Sequence, residues 1–352
     1  MNIHQFHPDF ASGDAISNEM VNIKTFLNES GYSSEIFACH YNKFHNSEIK
    51  NYKKYKIFTN PNNILIIHYS IASEAFDEIL KFPDKKILLY HNSTPAHFFD
   101  GYSPRHQLLL SKADDDLQKF VDKVVLVLAV SEFNCNKLRS LGFKNPVVLP
   151  FIFDFRKFEI TPNTKIIKKY KDGYTNLLFV GRIAPNKKLE DLIGVFYYYK
   201  KSINTQSRLI LVGNYLDMEV YYDKLLTLIE KLKLKDIIIT GLVNDRDLIA
   251  YYNVADLFIT MSEHEGFCVP LIEAMYFELP IIAYKSTAVE ETLQDAGILI
   301  TEKNHLKIAE LINLVMSNQI LKNKIIKKQL ENLSFFDSNN SKEKLRLFLS
   351  RI

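Results

Sequence analysis

The sequence is poor in cysteine, with only Cys39, Cys135 and Cys268 and no CxxC pair among them. An odd and scattered set does not make a disulfide framework, so a protein of the reducing cytoplasm is expected. An excess of one charge is also missing, because 44 basic and 41 acidic residues leave a net charge of +3. The composition therefore gives no reason to expect a nucleic-acid partner.

A long hydrophobic run is missing as well. The longest uninterrupted apolar stretch is 124–130, far short of the ~18 residues that indicate a membrane-spanning helix. The first residues, MNIHQFHPDF, show no basic region followed by an apolar run, so no secretion signal is expected. Any contact with the cytoplasmic membrane is therefore expected to be peripheral.

Short apolar runs alternate with helical patterns along the 352 residues. The runs are continuous, which is typical of strands buried on both faces of a parallel sheet. They are 64–70, 86–92, 124–131, 147–151, 176–182, 208–214, 236–243, 256–262, 280–284 and 297–300. Apolar residues at helical spacing lie between the runs, as in 16–27, 189–196 and 220–232. The alternation predicts a doubly wound α/β fold.

The alternation pauses in a polar, basic stretch at 151–176, which contains Pro162 and Gly173. We interpret this stretch as the linker between two Rossmann-like domains of similar size, 1–160 and 161–334. A last amphipathic helix at about 335–352 is free to pack back on the first domain. Open α/β sheets bind ligands at the carboxyl ends of their strands, so two facing domains would make a deep cleft.

The most informative segment, 261–284, reads MSEHEGFCVPLIEAMYFELPIIAY. It predicts a strand, a tight turn containing Gly266, and a helix from about Val269. A helix N-terminus carries unpaired N–H groups and suits a phosphate or a sugar hydroxyl. Glu265 can then reach a sugar, and Glu273 can accept hydrogen bonds from a ribose. The plainer alternative is that these glutamates only complement the helix dipole.

A second segment, 176–193, reads NLLFVGRIAPNKKLEDLI. Arg182 and Lys187 follow a predicted strand, and two cations there can bind a diphosphate together. They would stabilise the charge that develops on a departing nucleoside diphosphate. The alternative is a solvated helix start, although basic residues at a helix N-terminus oppose its dipole.

Together, GRIAPNKK and EGFCVPLIEAM resemble the C-terminal domain of the retaining group-1 glycosyltransferases, which have the GT-B fold. The family signature of two glutamates separated by seven residues is matched by Glu265 and Glu273. The resemblance extends to TGLVNDRDLIAYYNVADLFI and STAVEETLQDAGILI. In the N-terminal half, SGDAISNEM, YHNSTPAHFF and VSEFNCNKLRSLGF are similar to segments of polysaccharide-building members.

The resemblance implies a catalytic group made of Glu265, His91, Arg182 and Lys187. Arg182 and Lys187 would bind the donor diphosphate, Glu265 would contact the donor sugar near the reacting carbon, and His91 would face that sugar. The plainer alternative for His91 is a hydrogen-bonded core histidine. Glu273 would hold the ribose of the nucleotide. The family often has glycine where Cys268 and Lys188 stand. The Cys268 side chain would lie near the sugar pocket, so the resemblance leaves the identity of the donor sugar open.

The resemblance also implies close approaches by the backbone. Gly13 would let an N-terminal loop approach the phosphates, and the loop 241–243, with Val243, would receive the base. Three backbone amides would approach the sugar and phosphate: those of Phe267, Cys268 and Val269.

Several other patterns have simpler interpretations. Asp14 is interpreted as the cap of a helix starting at Ala15 rather than as an acceptor contact. Two Asp-x-Asp patterns, at 114–116 and 245–247, resemble metal sites, but both are better explained by helices. The basic clusters 50–56 and 165–171 suit an anionic membrane, although a solvated face is favoured. His4, His7 and His68 are expected to be structural.

The function expected from the resemblance is retaining transfer of a hexose-type sugar. The donor is a UDP- or GDP-sugar, and the acceptor is a glycan or lipid-linked glycan of surface polysaccharide biosynthesis. No metal and no other cofactor is expected. The alternatives are a nucleotide-sugar epimerase on the same fold and a non-catalytic partner subunit that binds a nucleotide sugar.

Overall fold

The computed structural model describes residues 1–11, 13–41 and 49–352. Their contacts divide them into two compact units. Unit 1 comprises 1–96, 105–154 and 336–352, and unit 2 comprises 97–104 and 155–335. None of the helices in the described ranges has both the length and the apolar character needed to cross a membrane.

Unit 1 is built on a seven-stranded sheet. Its strands are β1 (Ile3–Phe10), β2 (Ile36–Tyr41), β3 (Ile49–Asn51), β4 (Ile64–Tyr69), β5 (Lys85–Tyr90), β6 (Leu126–Ala129) and β7 (Val147–Val148). They lie in the order β3-β2-β1-β4-β5-β6-β7, and every neighbouring pair is parallel. The winding reverses between β1 and β4, which makes this the topological switch point of the sheet.

Unit 2 repeats the same plan with six strands. They are β8 (Thr175–Val180), β9 (Ser207–Val212), β10 (Ile237–Ile239), β11 (Leu257–Thr260), β12 (Ile281–Tyr284) and β13 (Ile298–Ile300). The order is β10-β9-β8-β11-β12-β13, again parallel throughout. Its switch point lies between β8 and β11.

Helices connect the strands in both units. They are α1 (Ala15–Glu29), α2 (Ala75–Ile79), α3 (Pro104–Ser111), α4 (Ala113–Gln118), α5 (Glu132–Ser140), α6 (Thr164–Tyr170), α7 (Leu189–Tyr198), α8 (Glu219–Lys231), α9 (Asp245–Val254), α10 (Val269–Tyr276), α11 (Val289–Leu293), α12 (His305–Ser317), α13 (Gln319–Leu333) and α14 (Ser338–Leu349). The last of them, α14, packs in unit 1, where the Arg346 guanidinium lies 5.4 Å from the Phe26 ring centre.

Every apolar run named from the sequence contains a strand, but β1, β2 and β3 were not among those runs. The central strand β1 was missed because polar side chains interrupt it. His4, Gln5 and His7 are all buried there. Burial is tolerated because each has a partner: the Gln5 amide donates to the Met20 carbonyl at 2.9 Å, for example.

Two other segments differ from their predictions. The linker at 151–176 contains a 3-10 turn (Phe155–Phe158) and the helix α6. Asn163 caps α6 and also donates a 2.7 Å hydrogen bond to Asp247 in α9.

In α8, Val220 and Leu226 are exposed, and Tyr221 and Leu225 form the buried face instead.

Two glycines let the ends of β8 and β9 approach each other closely. The Gly181 amide donates to the Val212 carbonyl at 2.9 Å, and Ile183 N donates to Asn214 O at 2.9 Å. A Cβ added to Gly213 would lie 1.8 Å from the Gly181 carbonyl oxygen. Glycine at 213 therefore sets the path of the chain into Arg182.

We expect Gly213→Ala to destabilise unit 2 by more than ~2 kcal/mol, because the added methyl must displace backbone. Gly173→Ala is the matched control, because Gly173 has a φ of +90° but nothing within 4 Å of its added Cβ. The control should lose only ~1 kcal/mol of stability, which is the cost of an alanine in the left-handed conformation. Thermal unfolding measures both variants, and equal losses would contradict the close approach.

Candidate active site

The segments that carry the sequence motifs meet at the switch point of unit 2. Arg182 follows β8, and a 3-10 turn (Pro185–Lys187) leads from there into α7. The loop 261–268 follows the neighbouring strand β11 and leads into α10. Because parallel neighbours end at the same edge of a sheet, the two connections lie side by side.

Lys187 and Glu265 form an ion pair at this edge. The Lys187 ammonium lies 2.6 Å from Glu265 Oε1, and the two side chains are only 18% and 10% exposed. Asn186 joins the same two connections, because its carbonyl accepts from Glu263 N at 2.9 Å. Its side-chain amide also donates to the His264 carbonyl at 3.0 Å. The structure thus brings together two residues that the sequence places 78 positions apart.

Hydroxyl groups hold the loop before α10 in shape. The Thr287 hydroxyl accepts from Glu265 N and donates to Glu265 O, both at 2.8 Å. Ser286 donates to the Ser262 carbonyl at 2.6 Å, and Thr292 donates to the Phe267 carbonyl. Sequence reasoning missed these residues, although STAVEET was among the segments of the resemblance. Preorganisation of this kind favours a defined ligand geometry.

The N-terminus of α10 carries the positive partial charge of the helix dipole. Its cap is Cys268, whose side chain makes no capping hydrogen bond, and the first turn has no acidic residue. Burial, with a further contribution from Glu265, raises the pKa of the Cys268 thiol well above its usual value of 9.0. The thiol is therefore neutral and adds no negative charge of its own at the positive end of the helix dipole.

Left-handed backbone occurs at the two positions where the family often has glycine. Cys268 has a φ of 74° and Lys188 a φ of 51°, and each precedes a helix. Gly266, the glycine that we expected to shape the turn, is not among the left-handed residues. A side chain in this conformation costs roughly 1–2 kcal/mol, which explains why glycine suits both positions.

Arg182 is exposed and donates a 3.2 Å hydrogen bond to the Leu216 carbonyl. The unfavourable interaction of basic residues with the dipole of α7 is offset within the protein itself. The first turn of α7 contains Glu190 and Asp191, and Lys188 lies 3.4 Å from Glu263. Acidic neighbours offset the charge, so the position of the cations alone does not demand an anionic ligand.

Glu273 is nearly buried, and both of its carboxylate oxygens are engaged. Lys157, from the 3-10 turn before α6, lies 3.0 Å from Oε1, and the Tyr252 hydroxyl donates to Oε2 at 2.8 Å. Burial and the adjacent Glu273 raise the pKa of Tyr252 well above its usual value. Neither Lys157 nor Tyr252 was predicted, and no sequence pattern around Glu273 identifies them.

The loop 241–243 lies next to the same strand ends. Gly241 has a φ of 71° and forms a β-bridge with Gly213. It therefore adjoins the close approach of Gly213 to Gly181, the residue before Arg182. Val243 is half-buried. The Tyr215 ring comes within 3.7 Å of a Cβ added at Gly241. An aromatic ring therefore borders the predicted base loop.

In unit 1, the predicted glycine loop follows β1. Gly13 is exposed and has a φ of 77°, while Ser12, the first residue of SGDAISNEM, lies outside the described residues. Asp14 caps α1 by accepting from Ser17 N at 2.9 Å. The capping interpretation of Asp14 is therefore confirmed.

His91 directly follows β5 and is only 7% exposed. Its Nε2 lies 2.9 Å from Nδ1 of His68, and the two rings stack with centroids 5.1 Å apart. Burial lowers the pKa of His91 to about 3, so the ring is neutral at physiological pH. His68, which was expected to be structural, is thus a direct partner of a predicted site residue.

Aspartates of both Asp-x-Asp patterns have protein partners, and Asp247 accepts from the Asn163 side-chain amide at 2.7 Å. Asp114 pairs with Lys137, and Asp116 accepts from Ser73 N at 3.1 Å. Both patterns lie in first turns, those of α4 and α9, as the helix interpretation predicts. Within the ranges that the structure describes, no three His, Cys, Asp or Glu side chains are grouped for a metal ion.

Comparison of the sequence with known proteins finds relatives for part of the chain. Residues 162–331 match the sequence model of the family described as glycosyl transferases group 1. The O-antigen chain mannosyltransferase B of Escherichia coli is 28% identical over 196 residues, 53% of this chain and 50% of that protein. A GDP-mannose-dependent alpha-mannosyltransferase of Mycobacterium tuberculosis is 27% identical over 132 residues, 37% and 31% of the two chains. The chain thus spans half or less of these relatives.

Comparison of the structure finds similarity over the whole chain. Anabaena Alr3699/HepE, solved in complex with UDP-glucose, has a TM-score of 0.79, 17% sequence identity and 100% coverage of both chains. At this identity the similarity establishes the fold alone. The predicted α/β fold with two Rossmann-like domains is confirmed.

Proposed function

We propose that this chain, whose residues 162–331 match the group 1 glycosyl transferases and whose fold matches the GT-B structures, transfers a hexose-type sugar from a nucleotide sugar to a glycan. The donor is a UDP- or GDP-sugar, and the acceptor is a glycan or lipid-linked glycan. The anomeric configuration is retained, and no metal takes part. These details rest on the site residues and on the resemblance.

The observation that carries the proposal is the Lys187–Glu265 ion pair beside the N-terminus of α10. A diphosphate needs positive charge, which Lys187, Arg182 and the helix dipole supply. A sugar needs hydrogen-bond acceptors, which Glu265 supplies. The pair therefore offers contacts to both the diphosphate and the sugar of a nucleotide sugar at one edge of the sheet.

The proposed division of labour follows from these charges. Arg182 and Lys187 stabilise the diphosphate as it departs, and the amides of Phe267, Cys268 and Val269 approach it. Glu265 contacts the sugar near the reacting carbon. The departing phosphate accepts the proton of the attacking hydroxyl, so no covalent nucleophile is needed. Glu273 holds the ribose.

The names of the relatives support a role in polysaccharide assembly. They are compatible with either of two bases in the donor nucleotide, guanine or uracil. The M. tuberculosis relative is named for GDP-mannose, whereas the Anabaena structure contains UDP-glucose. The E. coli relative is named for the O-antigen chain. We therefore include surface polysaccharide biosynthesis in the proposal, with peripheral membrane contact if the acceptor is lipid-linked.

A thermal-shift panel of UDP, GDP, ADP, CMP and TDP, each with and without Mg²⁺, tests the donor site. A ligand at 100 times its Kd stabilises the folded state by ~2.7 kcal/mol. We expect UDP or GDP to raise the melting temperature equally with and without Mg²⁺. Product analysis with the corresponding sugar nucleotide and glycan acceptors follows. No shift with any nucleotide, or a shift that requires Mg²⁺, would overturn the proposed metal-free site.

A further inference from the structure

Three polar side chains of unit 1 form a buried chain of hydrogen bonds that ends at His91. Gln5 Nε2 lies 2.9 Å from the Met20 carbonyl, and Gln5 Oε1 lies 2.9 Å from His68 Nε2. His68 Nδ1 lies 2.9 Å from His91 Nε2. Gln5 and His68 are both fully buried.

The Met20 carbonyl fixes the direction of every bond in this chain. A carbonyl only accepts, so the Gln5 amide must direct its NH2 group to Met20 and its oxygen to His68. His68 Nε2 must therefore carry the proton. In the neutral ring, His68 Nδ1 is then an acceptor, so His91 Nε2 is the donor.

The charge states of the two rings agree with this assignment. Burial lowers the pKa of His68 well below 6.5, with His91 and His7 as smaller contributors. Burial likewise lowers the pKa of His91 to about 3. Both rings are neutral at physiological pH, so His91 Nδ1 has a lone pair and no proton.

His91 Nδ1 is buried and has no hydrogen-bond partner among the described residues. A buried acceptor without a partner is unfavourable, and such atoms concentrate where a ligand can supply the missing bond. His4 Nε2 is also without a partner, but aromatic rings surround His4, those of Phe37, Tyr55 and Phe58. His91 differs because it stands at the carboxyl end of a strand, where α/β folds bind ligands.

We propose that Gln5 and His68 are positioning residues that hold His91 in the Nε2–H tautomer, so that Nδ1 accepts a hydrogen bond from a sugar hydroxyl. The proposal rests on the proposed glycosyl transfer and deepens it. His91 then acts as a hydrogen-bond acceptor, and it neither carries a positive charge nor donates a proton from Nδ1.

The tautomer is measured without any substrate. Long-range ¹H–¹⁵N correlation spectra of the ¹⁵N-histidine-labelled full chain at pH 7 distinguish protonated from bare ring nitrogens. Comparison with His91→Gln assigns the His91 signals. We expect a bare Nδ1 and a protonated Nε2 in the wild type. A protonated Nδ1 would overturn the proposal whatever the activity of the protein.

Variants of His68 test the positioning role. His68→Leu removes the acceptor for His91 Nε2, so the tautomer should become mixed and kcat/KM for transfer should fall about tenfold, the effect of one hydrogen bond. His68→Asn can keep an acceptor oxygen and should restore both readouts. His4→Asn, a change at another buried histidine, should alter neither.

The kinetic constants identify the source of the hydroxyl. A change confined to KM for the nucleotide sugar places it on the donor, and a change confined to KM for the glycan places it on the acceptor. Full transfer by His68→Leu with a mixed tautomer would overturn the positioning role. A wild-type protein with the expected tautomer but no nucleotide-sugar turnover would contradict the proposed function instead.

Discussion

Replacing Lys187 with alanine should reduce the rate of sugar transfer by a factor of about 10² to 10³, which is typical for loss of one group that stabilises transition-state charge. The ammonium lies 2.6 Å from Glu265, at the edge where the diphosphate is proposed to depart. Negative charge grows on that diphosphate during transfer, so the loss should appear mainly in kcat. Steady-state rates at saturating donor, with the concentration of the acceptor varied, measure this loss in kcat.

The same substitution leaves Glu265 without its cationic partner, so a control for folding is needed. Glu265 is only 9% exposed, and an unpaired carboxylate there would lower stability. Lys188→Ala removes a neighbouring ammonium that pairs with Glu263 at 3.4 Å, and it should keep near-normal rates. Lys187→Ala with an unchanged melting temperature and a rate within threefold of the wild type would refute the diphosphate role.

The strands were predictable from sequence where apolar residues are continuous. In β4 every residue is buried, and most of its side chains are apolar, so the run is visible. The neighbouring strand β1 is almost equally buried, yet His4, Gln5 and His7 break its pattern. A buried polar residue is stable only with a partner, and such partners, like the Met20 carbonyl, are invisible in a linear pattern.

The candidate site was predictable to the extent that it lies in continuous motifs. Arg182, Lys187, Glu265 and Glu273 stand in two short segments, and the family resemblance identifies them together. The sequence does not reveal that Lys187 touches Glu265, because this contact depends on β8 and β11 being neighbours in the sheet. Lys157 contacts Glu273 from 116 positions away in the sequence. It is missed because this contact also depends on tertiary packing and not on a continuous motif.

The ribose role of Glu273 predicts a loss of nucleotide affinity of about 10- to 100-fold in Glu273→Gln, because a hydrogen bond to a charged acceptor contributes ~1.5–3 kcal/mol. Isothermal titration with the nucleoside diphosphate that stabilises the wild type measures this loss. The 2′,3′-dideoxy nucleotide should bind the wild type that much more weakly. It should bind the variant almost as well as the parent nucleotide does, because the two changes remove the same contact.

Lys157→Met separates this role from the ion pair. Lys157 occupies Oε1 of Glu273 at 3.0 Å, and its side chain is 33% exposed, whereas Tyr252 on Oε2 is fully buried. A ribose hydroxyl should therefore displace the lysine and leave the tyrosine in place. We expect Lys157→Met to bind the nucleotide as tightly as the wild type or more tightly, since no ion pair must first be broken. Weakening equal to that of Glu273→Gln would show that the lysine itself holds the nucleotide.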